Sequence, residues 1–538
     1  MNRRDFLRAS ALSGMQAMLG PFGLARHVFG EARRSPEVRP FEWDEATIAQ
    51  LQTALAAGRE TAATLTHKYL HRIAEIDQRG PELKAVLETN PDAMAIARSL
   101  DAERKAKGPR GPLHGIPVLV KDNLDTHDRM MTTAGSLALL GSRPARDSFV
   151  VERLRAAGAV ILGKTNLSEW ANFRSSRSSS GWSGRGGQTK NPYALDRNPS
   201  GSSSGSGAAV AANLCAVAIG TETDGSIISP STVNGIVGLK PTVGLVSRAG
   251  IIPISASQDT AGPMARTVTD AAILLSAIAG IDPRDQATAL SSGKMESDYT
   301  KFLRPDGLRG ARIGVVRRLF QPGARSEGLM TAVIAAMKEQ GAEIIDPTDI
   351  PTLGQFGDSE FEVLLYEFKA GLNAYLAQLG PSAPVRTLEE IIAFNEANKA
   401  KELPFFGQET FLKAQAKGPL TEPAYLEAVA KNHRLARAEG IDAVMTELRL
   451  DALVGPSGGP AGKTDLIYGD RGVGGSSSLA AVAGYPNITV PAGAVAGLPA
   501  GISFFGRAFS EPTLLRLAYA FEQATRHRRP PKFLATVG

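Results

Sequence analysis

Cysteine is nearly absent. Cys215 is the single cysteine in 538 residues and lies in an apolar run, which excludes a disulfide framework, a CxxC pair and a thiolate metal site, and leaves it a packing role. Charge is sparse as well, at 21% of residues, while 43% are hydrophobic. A chain of this length and balance buries a large core and is neither disordered nor fibrous. Histidines number seven, and none falls in an HExxH motif. His67 and His71 stand four apart on one helix face, but no third ligand follows at a recognisable spacing, so no metal is expected. Beyond the N-terminal segment no apolar run is long enough for a membrane helix. The formal charge of +6 does not describe a phosphate-tracking surface: residues 1–34 hold six Arg against Asp5 and Glu31, so residues 35–538 carry only +2. Nucleic acid is not an expected partner.

What is present begins with an address. Asn2 to Arg8 read NRRDFLR, and a weakly apolar stretch follows from Ala9 to Ala25, broken by Gly20-Pro21. This resembles a twin-arginine export signal, too short and too interrupted to anchor in a bilayer. It implies the twin-arginine export machinery as a partner, a signal segment over residues 1–30, no stable membrane anchor, and a mature domain over 31–538 in a periplasm or outside the cell.

Within that domain the patterns alternate. Apolar spacing predicts helices over Asp44–Leu55 and Thr64–Ile76, with Thr64 as a cap. Ile116–Val120 is a buried-strand run that delivers Lys121 at its end. Ser148–Ala157 and Ala159–Leu162 read as helix then strand, an α/β alternation that suggests parallel pairing. The region 296–440 has a strand at Arg312–Val316 and helical periodicity over Leu329–Lys338, Glu360–Leu379, Leu388–Asn398 and Tyr425–Glu439. Its aromatics Phe361, Tyr366, Phe368 and Tyr375 are expected in the core. Ala452–Val454 and Ile502–Phe505 read as strands, and Pro512 opens a helix reaching Thr525.

Two motif matches mislead. GAVILGKT, Gly158 to Thr165, fits the P-loop expression, yet a helix precedes its first Gly and its interior Val160-Ile161-Leu162 is strand-like rather than a loop of free amides. GSSSG, Gly201 to Gly205, fits the nucleophile elbow centred on Ser203, but LDRNPS before it cannot supply the strand an elbow requires.

The stretch Pro199–Pro230 holds two serine sites, Ser202 to Ser204 in a loop of small residues and Ser226 after Gly225. A serine hydroxyl needs a base to become a nucleophile. A lysine serves only where burial lowers its pKa enough to populate the neutral amine. A second serine between the two solves the distance by passing the proton, and backbone amides in the turn at Gly225 could receive a developing oxyanion.

Lys121 in VLVKDN, GSSSGSGAAVAA, GTETDGSI and GLPAGI (Gly497 to Ile502) together resemble the amidase signature family of serine hydrolases, over residues from about 45 to 525. The family's fold implies a single α/β domain, a large mixed and mostly parallel twisted sheet flanked by helices, with the helical section 296–440 as a cleft wall. Its Ser–cis-Ser–Lys triad implies Ser226 as nucleophile, Ser202 as proton relay after a cis peptide bond from Gly201, and Lys121 as base. The resemblance further implies an oxyanion hole from the amides of Thr223, Asp224, Gly225 and Ser226, supporting or substrate-side positions at Ser203 and Ile228, and no cofactor.

Two departures from the commoner GTDxGGSIR pattern bear on substrate: Asp224 replaces a Gly and Ile228 replaces the Arg, beside Glu222. A free carboxylate would meet repulsion and no clamp. The ETDGSI form is similar to the peptide amidases of the family, which implies a small-molecule or peptide amide substrate, and most specifically the C-terminal amide of peptides. Other small amides or esters, one subunit of a glutamine-dependent transamidase, a noncatalytic export-pathway binding protein and, more distantly, a P-loop nucleotide-binding protein are the alternatives.

Overall fold

Thirteen strands account for the β-structure of the computed structural model, which describes residues 35–320, 323–380, 383–470 and 474–537. The expected signal segment lies outside the described residues. In chain order the strands are β1 (Val86–Thr89), β2 (Pro117–Lys121), β3 (Val160–Thr165), β4 (Trp182–Ser183), β5 (Gly187–Gln188), β6 (Val217–Glu222), β7 (Val237–Lys240), β8 (Thr260–Ala265), β9 (Arg312–Val315), β10 (Glu343–Ile345), β11 (Ala452–Gly458), β12 (Asn487–Val495) and β13 (Leu498–Phe505). Eleven form one sheet in the order β1-β3-β2-β6-β8-β7-β12-β13-β11-β9-β10, and β4 and β5 make a separate short hairpin. Residues Pro36–Gly538 hold together as one compact unit.

The sheet is mixed, as expected, but mostly antiparallel rather than mostly parallel. Among the described residues, parallel pairs occur only at β3-β2-β6 and at β11-β9-β10. Every pair from β6 through β8, β7, β12 and β13 to β11 is antiparallel, as is β1 with β3. The α/β alternation over 148–165 reports only the one crossover that links β2 to β3, where the helix Phe149–Ala156 returns the chain. It carries no information about the centre of the sheet.

Burial on both faces explains why the site-bearing strands lack a polar face: PVLVK of β2, VILGKT of β3 and VAIGTE of β6 are buried throughout. Alternation still sorts them. Val118 and Val120 join one apolar cluster with Ile161, Val217 and Ile219, while Leu119 joins a second with Val160, Leu162 and Ala218. The helix Ser204–Ala211 packs in that second cluster, all eight of its residues buried. Its glycines are dictated by contact: a Cβ on Gly205 would stand 2.3 Å from the Ala85 carbonyl oxygen and 2.5 Å from that of Asn166. The serine-rich segment is therefore already helix at Ser204, where composition alone suggests a flexible link.

Local signals hold with small shifts. The second helix runs over Ala62–Ile76 and is capped by Thr61 rather than Thr64. Thr64 is instead the third helical residue and completes the box, accepting from the Thr61 N–H at 2.8 Å while its own N–H donates to the Thr61 hydroxyl at 3.1 Å. Tyr366, Phe368 and Tyr375 are buried on the long helix Gly357–Gln378, but Phe361 is 37% exposed at its outer edge.

Candidate active site

Strand β2 ends on Lys121, fully buried on the same face as Leu119, where the helix Ser204–Ala211 lies. Its Nζ is 2.8 Å from Ser202 Oγ, 2.9 Å from Thr221 Oγ1 and 3.3 Å from the Thr221 carbonyl oxygen. Asn123 Nδ2 donates to the same Thr221 hydroxyl at 3.0 Å, fixing it from a second side. Burial pushes Lys121 down from the usual lysine range to about 7, against the opposing attraction of Asp259 and Glu222. The amine is thus poised between its two forms near neutrality.

Ser202, itself fully buried, follows a cis peptide bond from Gly201. The next residue ties the two serine segments together: the Ser203 N–H donates to the Ser226 carbonyl oxygen at 3.2 Å. The Ser203 side chain bridges back to the end of β6, donating to the Thr221 carbonyl at 3.0 Å and accepting from the Thr221 N–H at 3.1 Å. Ser203 is a brace between Lys121's neighbour Thr221 and the turn bearing Ser226, which excludes it as an exposed nucleophile.

Strand β6 carries the chain into that turn. Gly225 adopts φ 77°, a left-handed conformation disfavoured for side-chain-bearing residues. Its carbonyl accepts from the Ser229 N–H at 2.7 Å, which opens the helix Ile228–Val233. The buried Glu222 carboxylate accepts from the amides of Ile227 at 2.8 Å and Ile228 at 2.9 Å, so it holds the two residues immediately after Ser226. Among the described residues, the N–H groups of Thr223, Asp224, Gly225 and Ser226 meet no protein acceptor. Such unmatched donors gathered in one turn form a receptor for a developing negative charge.

Ile228, two residues after Ser226, is fully buried, with its N–H held by Glu222. The helix it opens packs against β7, β12 and β13. Asp224 does face a cavity, with its carboxylate accepting from Ser477 Oγ at 2.6 Å and held above the usual carboxylate range by burial.

Cavities open on both sides of the turn. One of about 400 Å³ is lined by Asn123, Thr221, Thr223, Ile252 and Ile254, with Glu367 of the long helix on its wall. It shares Arg248, Ile251, Pro253 and Gly371 with a second of about 730 Å³ that extends to Asp125 and Tyr375, so the two adjoin. On the other side, a cavity of about 830 Å³ is lined by Gly201, Asp224, Gly225, Ser229 and Ser477.

The other motif candidates resolve elsewhere. Lys164 is the penultimate residue of β3, buried, with its Nζ donating to the Leu124 carbonyl at 2.6 Å and Thr132 Oγ1 at 2.9 Å and lying 3.6 Å from Asp122. The segment around it is a strand in the core rather than a phosphate-cradling loop. His71 is exposed 3.6 Å from Glu75. Sequence reasoning missed Thr221, Gln258 and Asp259, and read Glu222 only as a departure from a pattern. Their roles are created by the pairing of β6 with β2 and β8, and no spacing along the chain encodes that.

A buried lysine in contact with a serine hydroxyl thus lies beside a turn of free amides on a large mixed sheet. The family described as Amidase matches residues 64–515, and the chain belongs to it, the amidase signature family. It is similar to the native peptide amidase of Stenotrophomonas maltophilia, with 53% identity and a TM-score of 0.88 over 92% of this chain and 100% of that one. A probable amidase of Arabidopsis thaliana is 48% identical over 92% of this chain and 93% of that protein. One of the subunits of the glutamyl-tRNA(Gln) amidotransferase of a Synechococcus strain is 36% identical over 90% of this chain and 93% of that one.

Proposed function

We propose that this amide hydrolase cleaves the C-terminal carboxamide of peptides, releasing ammonia through an acyl-enzyme on Ser226. The observation that carries the mechanism is the 2.8 Å contact between a fully buried Lys121 Nζ and Ser202 Oγ. In its neutral form the amine has two N–H bonds, which Thr221 Oγ1 and the Thr221 carbonyl accept, leaving the lone pair for the Ser202 hydroxyl. Ser226 Oγ attacks the amide carbon. Its proton passes to Ser202 as the Ser202 proton passes to Lys121, and the negative charge moves onto the former carbonyl oxygen beside the free amides of the turn. The C–N bond then breaks, and the proton returns through Ser202 to the leaving nitrogen, which departs as ammonia. Water adds to the acyl ester by the same relay, giving a peptide carboxylate and free Ser226.

The peptide assignment is supported by the likeness to the Stenotrophomonas maltophilia peptide amidase. The adjoining cavities along Ile251–Ile254 offer length for a chain, and Asp224 beside the nucleophile opposes a free carboxylate. The test is ammonia release from amidated dipeptides and from a free-acid monoamide such as malonamate. Preference for the monoamide overturns the substrate reading, and a loss below about tenfold in Ser226→Ala overturns the nucleophile. The transamidase reading draws on the 36% identity to the Synechococcus protein. It requires glutamine to be the better ammonia donor and activity to depend on partner chains. Export through the twin-arginine route is part of the proposal and rests on NRRDFLR. Residues 1–34 fused to a reporter should carry it across the inner membrane, and Arg3→Lys with Arg4→Lys should stop it.

A further inference from the structure

The turn at Thr223–Gly225 is held by a bracket that reaches to the cavity wall. Gln258 is buried, and its Nε2 donates to the Thr223 carbonyl at 3.2 Å and to Glu360 Oε1 at 3.0 Å, using both hydrogens of the amide. Asp259 accepts from Thr223 Oγ1 at 2.5 Å and from the N–H groups of Ile254 and Ser255 at 2.7 and 2.9 Å. Seven residues along the same helix from Glu360, Glu367 accepts from Ser255 Oγ at 2.5 Å, from the Ser257 N–H at 2.9 Å and from the Ser257 hydroxyl. Two carboxyls two turns apart share a helix face. They grip the segment Ser255–Asp259, and that segment in turn grips Thr223.

The Thr223–Asp224 peptide is trans, and in a trans peptide the carbonyl and the following N–H point opposite ways. Anchoring the Thr223 carbonyl on Gln258 therefore aims the Asp224 N–H away from the bracket. The next anchored carbonyl, Gly225 on the Ser229 N–H, does the same for the Ser226 N–H. We propose that Gln258, held by Glu360, is a positioning residue that fixes the Asp224 N–H toward the oxygen of the reacting amide. This rests on the acyl-enzyme reading above and names residues outside its triad. Burial, followed by the neighbouring Asp224 carboxyl, pushes Glu360 up to about 8, so a neutral acceptor at this position reproduces its hydrogen bond.

The test compares Gln258→Leu, Glu360→Ala, Glu360→Gln and Ser226→Ala for kcat, KM, thermal midpoint and binding of a peptide aldehyde. The aldehyde carbon bonds reversibly to Ser226 Oγ and places its oxygen as the transition state does. Losing the aim of one donor should lower kcat in Gln258→Leu and Glu360→Ala by about 10- to 100-fold, weaken the aldehyde by a similar factor and leave KM within about twofold. Glu360→Gln, which keeps an acceptor oxygen, should retain kcat within about threefold. If Gln258→Leu does not fold, the Glu360 pair carries the test by itself. An unchanged kcat in Glu360→Ala, a Glu360→Gln variant as damaged as Glu360→Ala, or a loss confined to KM overturns the proposal. Should Ser226→Ala stay active, the acyl-enzyme reading itself fails; should it be inactive while Gln258→Leu turns over normally, only the bracket's role fails.

Discussion

Lys121, the last residue of β2, and Lys164, the penultimate residue of the adjacent parallel β3, are both fully buried, yet they differ in what they can do. The pairing of β2 with β3 shifts by one residue between Val118 and Leu119, so Lys164 pairs with Val120 and Lys121 with Thr165. That shift turns the two side chains to opposite faces of the sheet. Lys164 meets a carboxylate, Asp122, with a carbonyl and a hydroxyl completing its shell. Lys121 meets two hydroxyls and one carbonyl at hydrogen-bonding distance, and no carboxylate. Burial drives both lysines down from the usual range, but Asp122 foremost opposes that for Lys164. A nearby carboxylate favours the charged form of a buried lysine; hydroxyls in contact leave it free to give and take a proton.

Removing each lysine should separate these roles. Lys121→Ala should lose amidase activity by about 10⁴-fold or more, since base and nucleophile act as a unit; steady-state ammonia release checks this, and a residual rate above a hundredth of wild type breaks the contrast. Lys164→Ala should act on stability instead. It takes one of two cations from the buried Asp122 and leaves Arg185 at 3.3 Å, so the cost should stay below the roughly 3–5 kcal/mol of a buried charge left with no partner, read from the urea midpoint, with kcat per folded molecule kept within about threefold.

The pH profile sharpens the same point. Lys121 works as the neutral amine, so kcat/KM should rise about tenfold per pH unit below its value of about 7 and level off above it. The depressed value also means that the unfolded chain holds a proton there that the folded one has released, so this group adds stability as pH climbs from about 7 toward the ordinary lysine range. A profile flat between pH 5 and 7 would remove Lys121 from the base role. The smallest expected effect is Thr221→Val. It deletes the hydroxyl that Lys121 and Asn123 share, and kcat should fall roughly tenfold without abolishing turnover.

Much of the site was legible along the chain because the residues sit where local pattern ends: Lys121 closes an apolar run, and Ser202 and Ser226 flank a helix-and-strand unit. The bulge that aims Lys164 away from Lys121 was not legible, because VILGKT reads as a strand whether or not Leu162 is the extra residue. Thr221, Gln258, Asp259 and Glu360 act through contacts 18 to 102 residues apart in sequence. The direction of the central strands was hidden for the same reason. Ile228 was visible as a departure from a pattern, but its complete burial was not.

The helix Ser204–Ala211 carries a consequence for anyone who would retune this enzyme. Backbone meets backbone at Gly205, and its seven companions are as fully enclosed. Random libraries should therefore return almost nothing but synonymous codons across SGSGAAVA, even though no residue of that helix is asked to do chemistry. Variation that survives selection should gather instead at exposed positions such as Phe361, Tyr468 and, on a cavity wall, Leu420, where side chains already reach solvent.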